Sequence, residues 1–196
     1  AGLALDQLLA PPGAAAIPLW LLRESDLAAF KAAQPPAVGA WLEQHAFLAE
    51  RHRVLGIPGG GGELAGAVAG VGPLDDWSKL SLWQVAGLIE RLPPRDYFLA
   101  TPLAADPGAQ LLLGWLTGGY RLTRFKSNAA APKTPAALRA RLVPPANVEV
   151  GSVVRQATAC AWARAVPRAS RSIRRKAAGR RVRLPDSARR RDSLAR

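Results

Sequence analysis

Asp106-Pro107-Gly108-Ala109-Gln110-Leu111-Leu112-Leu113-Gly114-Trp115-Leu116-Thr117-Gly118-Gly119, continued by Tyr120-Arg121-Leu122-Thr123-Arg124-Phe125, reads as a helix followed by a strand. Asp106 before Pro107 is a helix start, a capping side chain followed by a residue that has no N–H to lose. Ala109, Leu112, Leu113 and Leu116 give this helix a buried face. Gly118-Gly119 supplies its stop, and Tyr120 to Phe125 forms the next strand. Upstream, Tyr97-Phe98-Leu99-Ala100 is a short apolar strand. Before it, Leu82, Val85, Ala86 and Ile89 repeat at i, i+3, i+4, i+7. That spacing predicts an amphipathic helix from about 78 to 91, stopped by Pro93-Pro94.

The same alternation continues in both directions. Ile17-Pro18-Leu19-Trp20-Leu21-Leu22 reads as a buried strand, with Pro18 near its start where a missing donor is tolerated. Ser25 or Asp26 caps a helix carrying Leu27 and Phe30, which Pro35-Pro36 ends. A second helix follows with Val38, Trp41, Leu42 and His45 on one face. Residues 53–58 and 64–71 flank Gly59 to Gly62, the pattern of a hairpin with a loose glycine turn. Beyond Phe125 come an Ala/Pro loop over 129–135 and a strand from Leu138 to Val143. A final helix, capped by Asn147, carries Val150, Val153, Val154, Ala157, Ala161 and Trp162. Helices alternating with short strands predict an α/β fold, a three-layer sandwich with a mixed β-sheet flanked by helices. Its expected parts are an N-terminal domain over 1–146, a linking helix over 147–166 and a tail over 167–196.

Composition sets the limits. The chain has 196 residues, and 49% are apolar, enough for a core that hides roughly 70% of the unfolded surface without a covalent staple. One cysteine, Cys160, excludes a disulfide framework and a multi-thiolate zinc site. The longest strongly apolar run, Leu111 to Leu116, is far too short to span a bilayer. Asp6 interrupts the first apolar run, so no signal peptide and a cytoplasmic location are expected. The net charge of +13 is unevenly placed. Residues 1–164 carry 15 basic and 12 acidic side chains, whereas residues 165–196 carry 12 and 2. Without aromatic residues and with few large apolar ones, the tail cannot offset its ordering entropy and is expected to be disordered. Its Arg clusters at 174–176, 180–181 and 189–191 could bind nucleic acid through phosphates. Its Arg, Ala, Gly, Pro and Ser content is also that of a GC-rich gene translated out of frame.

Enzymatic signatures are absent: there is no H-E-x-x-H, G-x-S-x-G or C-x-x-C. His45 and His52 are seven apart, not the i, i+4 spacing of a helical metal pair, and are expected to belong to different elements. Cys160 and the six tryptophans lie in apolar patterns and read as core. Asp75-Asp76 reads as a helix cap. Gly59 to Gly62 matches neither G-x-G-x-x-G nor G-x-x-x-x-G-K-[ST], so it reads as a turn.

Leu92-Pro93-Pro94-Arg95-Asp96-Tyr97-Phe98-Leu99-Ala100, then Leu113-Gly114-Trp115-Leu116-Thr117-Gly118-Gly119-Tyr120-Arg121-Leu122-Thr123-Arg124-Phe125-Lys126, resembles the N-terminal domain of the leucyl (cytosol) aminopeptidase family. That family often shows L-G-x-x-L-G-x-Y followed by R-F-x-x-Y-K, and the helix ending Ala157 to Arg164 is similar to its inter-domain connection. The resemblance covers about residues 15–164 and implies a macro-domain-like fold. It also implies hexameric assembly and, in the intact protein, a metallo-exopeptidase that uses zinc or manganese to release N-terminal amino acids from peptides. Similarity to macro domains adds ADP-ribose as a candidate ligand for the glycine turn.

The family's R-D-L-x-N-x-P is missing after Arg164, where Ala165-Val166-Pro167-Arg168 stands instead, and its N-T-D-A-E-G-R metal motif is absent. No catalytic, cofactor-binding or metal residue is therefore assigned, and this chain alone is expected to be inactive. A shift of reading frame near residue 165 would account for both the lost pattern and the changed composition. The two other frames of the encoding DNA test that expectation.

Overall fold

The computed structural model describes residues 5–119 and 139–165. Among the described residues five strands form a sheet: β1 (Ile17–Arg23), β2 (Val54–Pro58), β3 (Leu64–Gly72), β4 (Asp96–Leu99) and β5 (Arg141–Val143). Their order is β2-β3-β1-β4-β5. β1 lies parallel to both β3 and β4, β4 is parallel to β5, and only β2 runs antiparallel, to β3. The sheet is thus mixed, as the alternation of elements predicts. Pro18 stands one residue before the first β1–β3 partner pair, Leu19 and Ala67, so its missing N–H falls where the ladder begins.

Period-two alternation divides the buried residues between two faces. On one face Leu19, Leu21, Ala69, Tyr97 and Leu142 pack beneath α4 (Ala105–Gly119) and α5 (Val150–Ala165). On the other, Leu22, Ile57 and Val68 meet Leu42 and Phe47, with Trp20 and Phe30 at the margin. That second cover comes from α1 (Leu27–Ala33) and α2 (Pro36–Gln44). The Trp20 and Phe30 rings meet edge-on at 5.5 Å. Helices lie on both sides of the sheet, the expected sandwich.

The decisive helix differs from its sequence reading in three ways. It begins at Ala105, so Asp106 and Pro107 sit inside its first turn and the cap lies further upstream. It is buried nearly all round, including Leu111, Trp115 and Thr117, because α3 (Leu82–Val85), α5 and the N-terminal turn all lean on it. Gly118 and Gly119 are the last described residues of the helix and also serve as contact points. Their purpose is close approach. A Cβ on Gly118 would strike the Ala86 carbonyl, and one on Gly114 would lie 2.7 Å from the Leu82 carbonyl oxygen. Gly114 thus admits α3 at close range.

The helix expected over 78–91 is broken into a 3-10 turn (Trp77–Lys79), the single α turn of α3, and a second 3-10 turn (Leu88–Glu90). Leu80 is extended, with φ −60° and ψ 126°, and a new start forms at Ser81. There the Gln84 side chain reaches back to accept the Ser81 N–H at 2.8 Å. The apolar spacing holds, but tight packing against α4 replaces the regular helix.

Two other caps move. Asn147 donates to the Leu103 carbonyl at 2.8 Å, and α5 starts at Val150, where the Glu149 carboxylate accepts the Ser152 N–H at 2.6 Å. Asp26 makes no cap hydrogen bond. β5 is shorter than the stretch predicted. The strand expected at 120–125, the loop at 129–135 and the tail at 167–196 lie outside the described residues.

Tyr97 is fully buried, and its hydroxyl donates to the Pro93 carbonyl at 3.0 Å. Burial pushes its phenol up to about 12, above the ordinary value near 10. The neutral phenol's contribution to stability is therefore complete below pH ~10 and is lost as the pH rises through about 12. A tyrosinate step at 295 nm coinciding with loss of the circular dichroism signal is expected in that window. Should Tyr97→Phe leave the step unchanged, the assignment to Tyr97 is wrong.

Candidate functional site

Parallel strands direct their carboxyl ends to one edge of a sheet, and open α/β sheets bind ligands beyond that edge. Here the edge is formed by the ends of β1, β3 and β4 and the segments that follow them. Arg23, the last residue of β1, dominates it. Its Nε and Nη2 donate to the two Asp26 carboxylate oxygens, each at 2.7 Å, and its Nη1 donates to the Asp75 carbonyl at 2.9 Å. The guanidinium lies 5.3 Å from the centre of the Trp77 ring. Hydrogen bonding from Arg23 holds the Asp26 carboxyl below its ordinary range. Between β1 and β4, the Thr101 hydroxyl accepts the Leu21 N–H and donates to the Leu21 carbonyl, both at 2.9 Å.

These groups satisfy one another. Asp76 accepts the Ser78 N–H at 2.7 Å, capping the 3-10 turn as expected, while Asp75 instead pairs with Lys79 at 2.7 Å. The edge contains a fixed cation on an aromatic face, balanced by a carboxylate. This arrangement positions loops; it offers no paired acid and base for proton transfer. Among the described residues, no group of three or more His, Cys, Asp or Glu is placed to hold a metal ion.

The remaining candidates are dispersed. His45 follows α2, with Nδ1 2.9 Å from the Trp41 carbonyl and its ring centred 4.0 Å from the Trp41 indole. His52 lies in the next loop, with Nε2 2.9 Å from the Trp83 carbonyl. The two histidines thus belong to separate elements, as their spacing predicts. At the glycine turn, Gly59 N–H donates to the Glu63 carbonyl at 2.7 Å and Gly61 N–H to the Glu63 carboxylate at 3.0 Å. A carboxylate of the chain itself already takes the position an incoming phosphate would need, which supports the turn reading. Cys160 is half-buried. The tryptophans depart from the core expectation: Trp115 is fully buried, but Trp83 and Trp162 are each 59% exposed. Trp162 falls off the inward face of α5, which Val153, Ala157 and Ala161 occupy.

One feature escaped sequence reasoning. Ala46, Ala49 and His52 all adopt left-handed φ values, between 46° and 67°, within a loop that packs onto β3. A Cβ at Gly70 would meet the Ala49 backbone, and the Gly72 N–H donates to the Ala49 carbonyl at 3.0 Å. A glycine inside a strand signals such an approach. Gly70 is thus the readable clue, while nothing in Ala46 or Ala49 announces a left-handed backbone.

Comparison with known proteins places this architecture. The family described as M17 aminopeptidase, N-terminal domain, matches residues 17–138. A search of curated proteins gives no match. Among solved structures, the cytosol aminopeptidase of Coxiella burnetii shares 21% identity over 78% of this chain and 31% of its own, with a TM-score of 0.63. That likeness is one of fold. The manganese complex of the bottromycin maturation enzyme BotP (20% identity, 78% of this chain and 30% of that one) and a tomato leucine aminopeptidase mutant (13%, 76% and 34%) both have a TM-score of 0.46 and carry no argument. The chain spans about a third of the length of these structures.

Proposed function

Because this chain belongs to the M17 aminopeptidase N-terminal domain family, we propose that it is the non-catalytic N-terminal part of a leucyl-aminopeptidase-like metallo-exopeptidase. The intact protein would release N-terminal amino acids from peptides. The observation that carries this reading is the family match over 17–138, joined to coverage of only 31% of the Coxiella burnetii chain. In this reading residues 1–146 form the N-terminal domain and residues 147–166 the helix that leads out of it. Assembly into a homo-oligomer, hexameric as in the resembling family, and a cytoplasmic location belong to the same proposal. No helix among the described residues is long and apolar enough to cross a membrane.

Two divalent ions, zinc or manganese, would supply water activation and carbonyl polarisation in the intact enzyme. The described residues of this chain do not fit such a pair, since their acids are dispersed and engaged in caps and ion pairs. The role left to them is scaffolding.

Purified chain incubated with leucyl p-nitroanilide and manganese should therefore show no hydrolysis above buffer. Chelator-sensitive release of nitroaniline would overturn the non-catalytic assignment. In parallel, the DNA beyond codon 164 should encode a carboxylate-rich metal-binding domain in one of its frames. Its absence from both other frames would remove the reading-frame explanation.

A further inference from the structure

A strained loop, two arginines without carboxylates and an outward-facing indole meet at one place on the described chain. The loop between α2 and β2 has left-handed backbone at Ala46, Ala49 and His52, none of them glycine. Backbone held in that region is strained, and it persists only where the surroundings over-determine it. What this loop fixes is charge. Arg51 Nη2 donates to the Trp83 carbonyl at 2.9 Å, and His52 Nε2 lies 2.9 Å from the same oxygen. A carbonyl can only accept, so Nε2 carries the proton. From the 3-10 turn that follows α3, Arg91 Nη1 donates to the His52 carbonyl at 2.8 Å. The loop is thereby laced to α3 and the turn after it, while the Trp83 indole stands outward, 59% exposed.

Neither arginine is neutralised. The ion pairs among the described residues engage Arg23, Lys31, Lys79, Arg141 and Arg155, and not Arg51 or Arg91. Each of the two uses one guanidinium donor on a backbone carbonyl, which sets its orientation. The remaining donors have no partner among the described residues, and both side chains are exposed. Glu50, beside Arg51 in the chain, turns back to accept the Leu48 N–H at 3.1 Å.

We propose that this face docks an acidic peptide segment of another protein, with carboxylates on Arg51 and Arg91 and an apolar side chain on the Trp83 indole. Charge complementarity selects the partner. An arginine fork matches the two oxygens of a carboxylate, and a preset fork loses less freedom on pairing. Tryptophan and arginine are the side chains that most often anchor protein interfaces. A nucleic acid suits the face less well, because Glu50 and Glu90 adjoin the arginines in the chain and oppose a continuous row of phosphates. A lipid surface requires a long apolar stripe, and α3 is a single turn. The proposal does not rest on the exopeptidase reading.

The test uses the full chain and fluorescein-labelled Glu-Leu-Glu-Leu-Glu, followed by anisotropy. Basic residues beyond 164 attract acids without selectivity, so the readout is the difference between variants that all retain them. Trp83→Ala removes an exposed ring and keeps the backbone carbonyl, so circular dichroism should be unchanged while binding weakens about fivefold. Arg51→Gln combined with Arg91→Gln should weaken binding about tenfold, the effect of two exposed charge pairs. Trp162→Ala removes an equally exposed indole on α5 and should bind within about twofold of wild type. Serine in place of the peptide's leucines should cost wild type about fivefold and the Trp83→Ala variant nothing more. Equal binding by Trp83→Ala and Trp162→Ala, or wild-type binding by the arginine variant, overturns the proposal. So does tighter binding of a single-stranded oligonucleotide that Trp83→Ala abolishes, which would make nucleic acid the partner. The Trp83→Ala result stands even if the arginine variant fails to fold. A negative peptidase assay leaves every one of these outcomes untouched.

Discussion

Gly118→Ala is expected to destabilise the fold by about 2–4 kcal/mol, although alanine is the better helix former. Elsewhere in a helix the same change gains about 1 kcal/mol of propensity. Here the new Cβ would strike the Ala86 carbonyl, a backbone atom that no rotamer change can move aside. To relieve the clash α3 must shift away from α4, which disturbs the contacts of Val85, Leu88 and Ile89, all buried in the main core. The control is Gly39→Ala. Gly39 lies in α2, and a methyl group added to it would meet nothing within 4 Å, so the propensity gain should appear undiminished. Thermal unfolding followed by circular dichroism should separate the two variants by roughly 10 °C, with wild type between them. If Gly118→Ala unfolds within about 0.5 kcal/mol of wild type, then α3 and α4 do not cross at that point.

Those glycines also show why part of the fold was readable and part was not. Strand positions followed from short apolar runs bounded by turn residues, as in β1 and the β2–β3 hairpin, because local pattern and tertiary environment agree there. Glycine bears two meanings, a stop or a point of contact, and only the neighbour across the interface distinguishes them. Gly118 and Gly119 are points of contact as well. The segment 78–91 kept its apolar spacing yet lost its regularity to the same contact. Caps failed for a related reason: Asp26 is diverted to Arg23, and Asn147 to the Leu103 carbonyl. Each of these partners is distant in sequence or competes locally, so a one-dimensional pattern cannot rank them. The candidate site was legible mainly in negative terms. The scattered His45, His52 and Cys160 come together no better in space than in sequence, whereas the Arg23–Asp26–Trp77 cluster depends on the end of β1 meeting the segment after β3.

Trp115→Ala should cost about 3–5 kcal/mol. The indole is fully buried, and its Nε1 donates to the Leu8 carbonyl at 3.0 Å, tying α4 to the N-terminal 3-10 turn, Leu5–Leu8. Truncation leaves a large cavity between Leu8 and the sheet and strands a buried carbonyl without a donor. Trp115→Phe separates these contributions: it keeps most of the volume but removes the N–H, for an expected cost of about 1–3 kcal/mol. Urea unfolding should therefore rank wild type, Trp115→Phe and Trp115→Ala in that order. Equal midpoints for the two variants would mean the hydrogen bond, and not the volume, holds the turn. Trp115 lies inside the segment that carries the family resemblance, so the same variants bear on function. In an intact exopeptidase containing this domain, a packing role requires activity to fall in step with the folded fraction. A loss of kcat at full folded population would instead link Trp115 to the reaction, which its burial against the N-terminal turn, with the Leu8 carbonyl as its hydrogen-bond acceptor, gives no reason to expect.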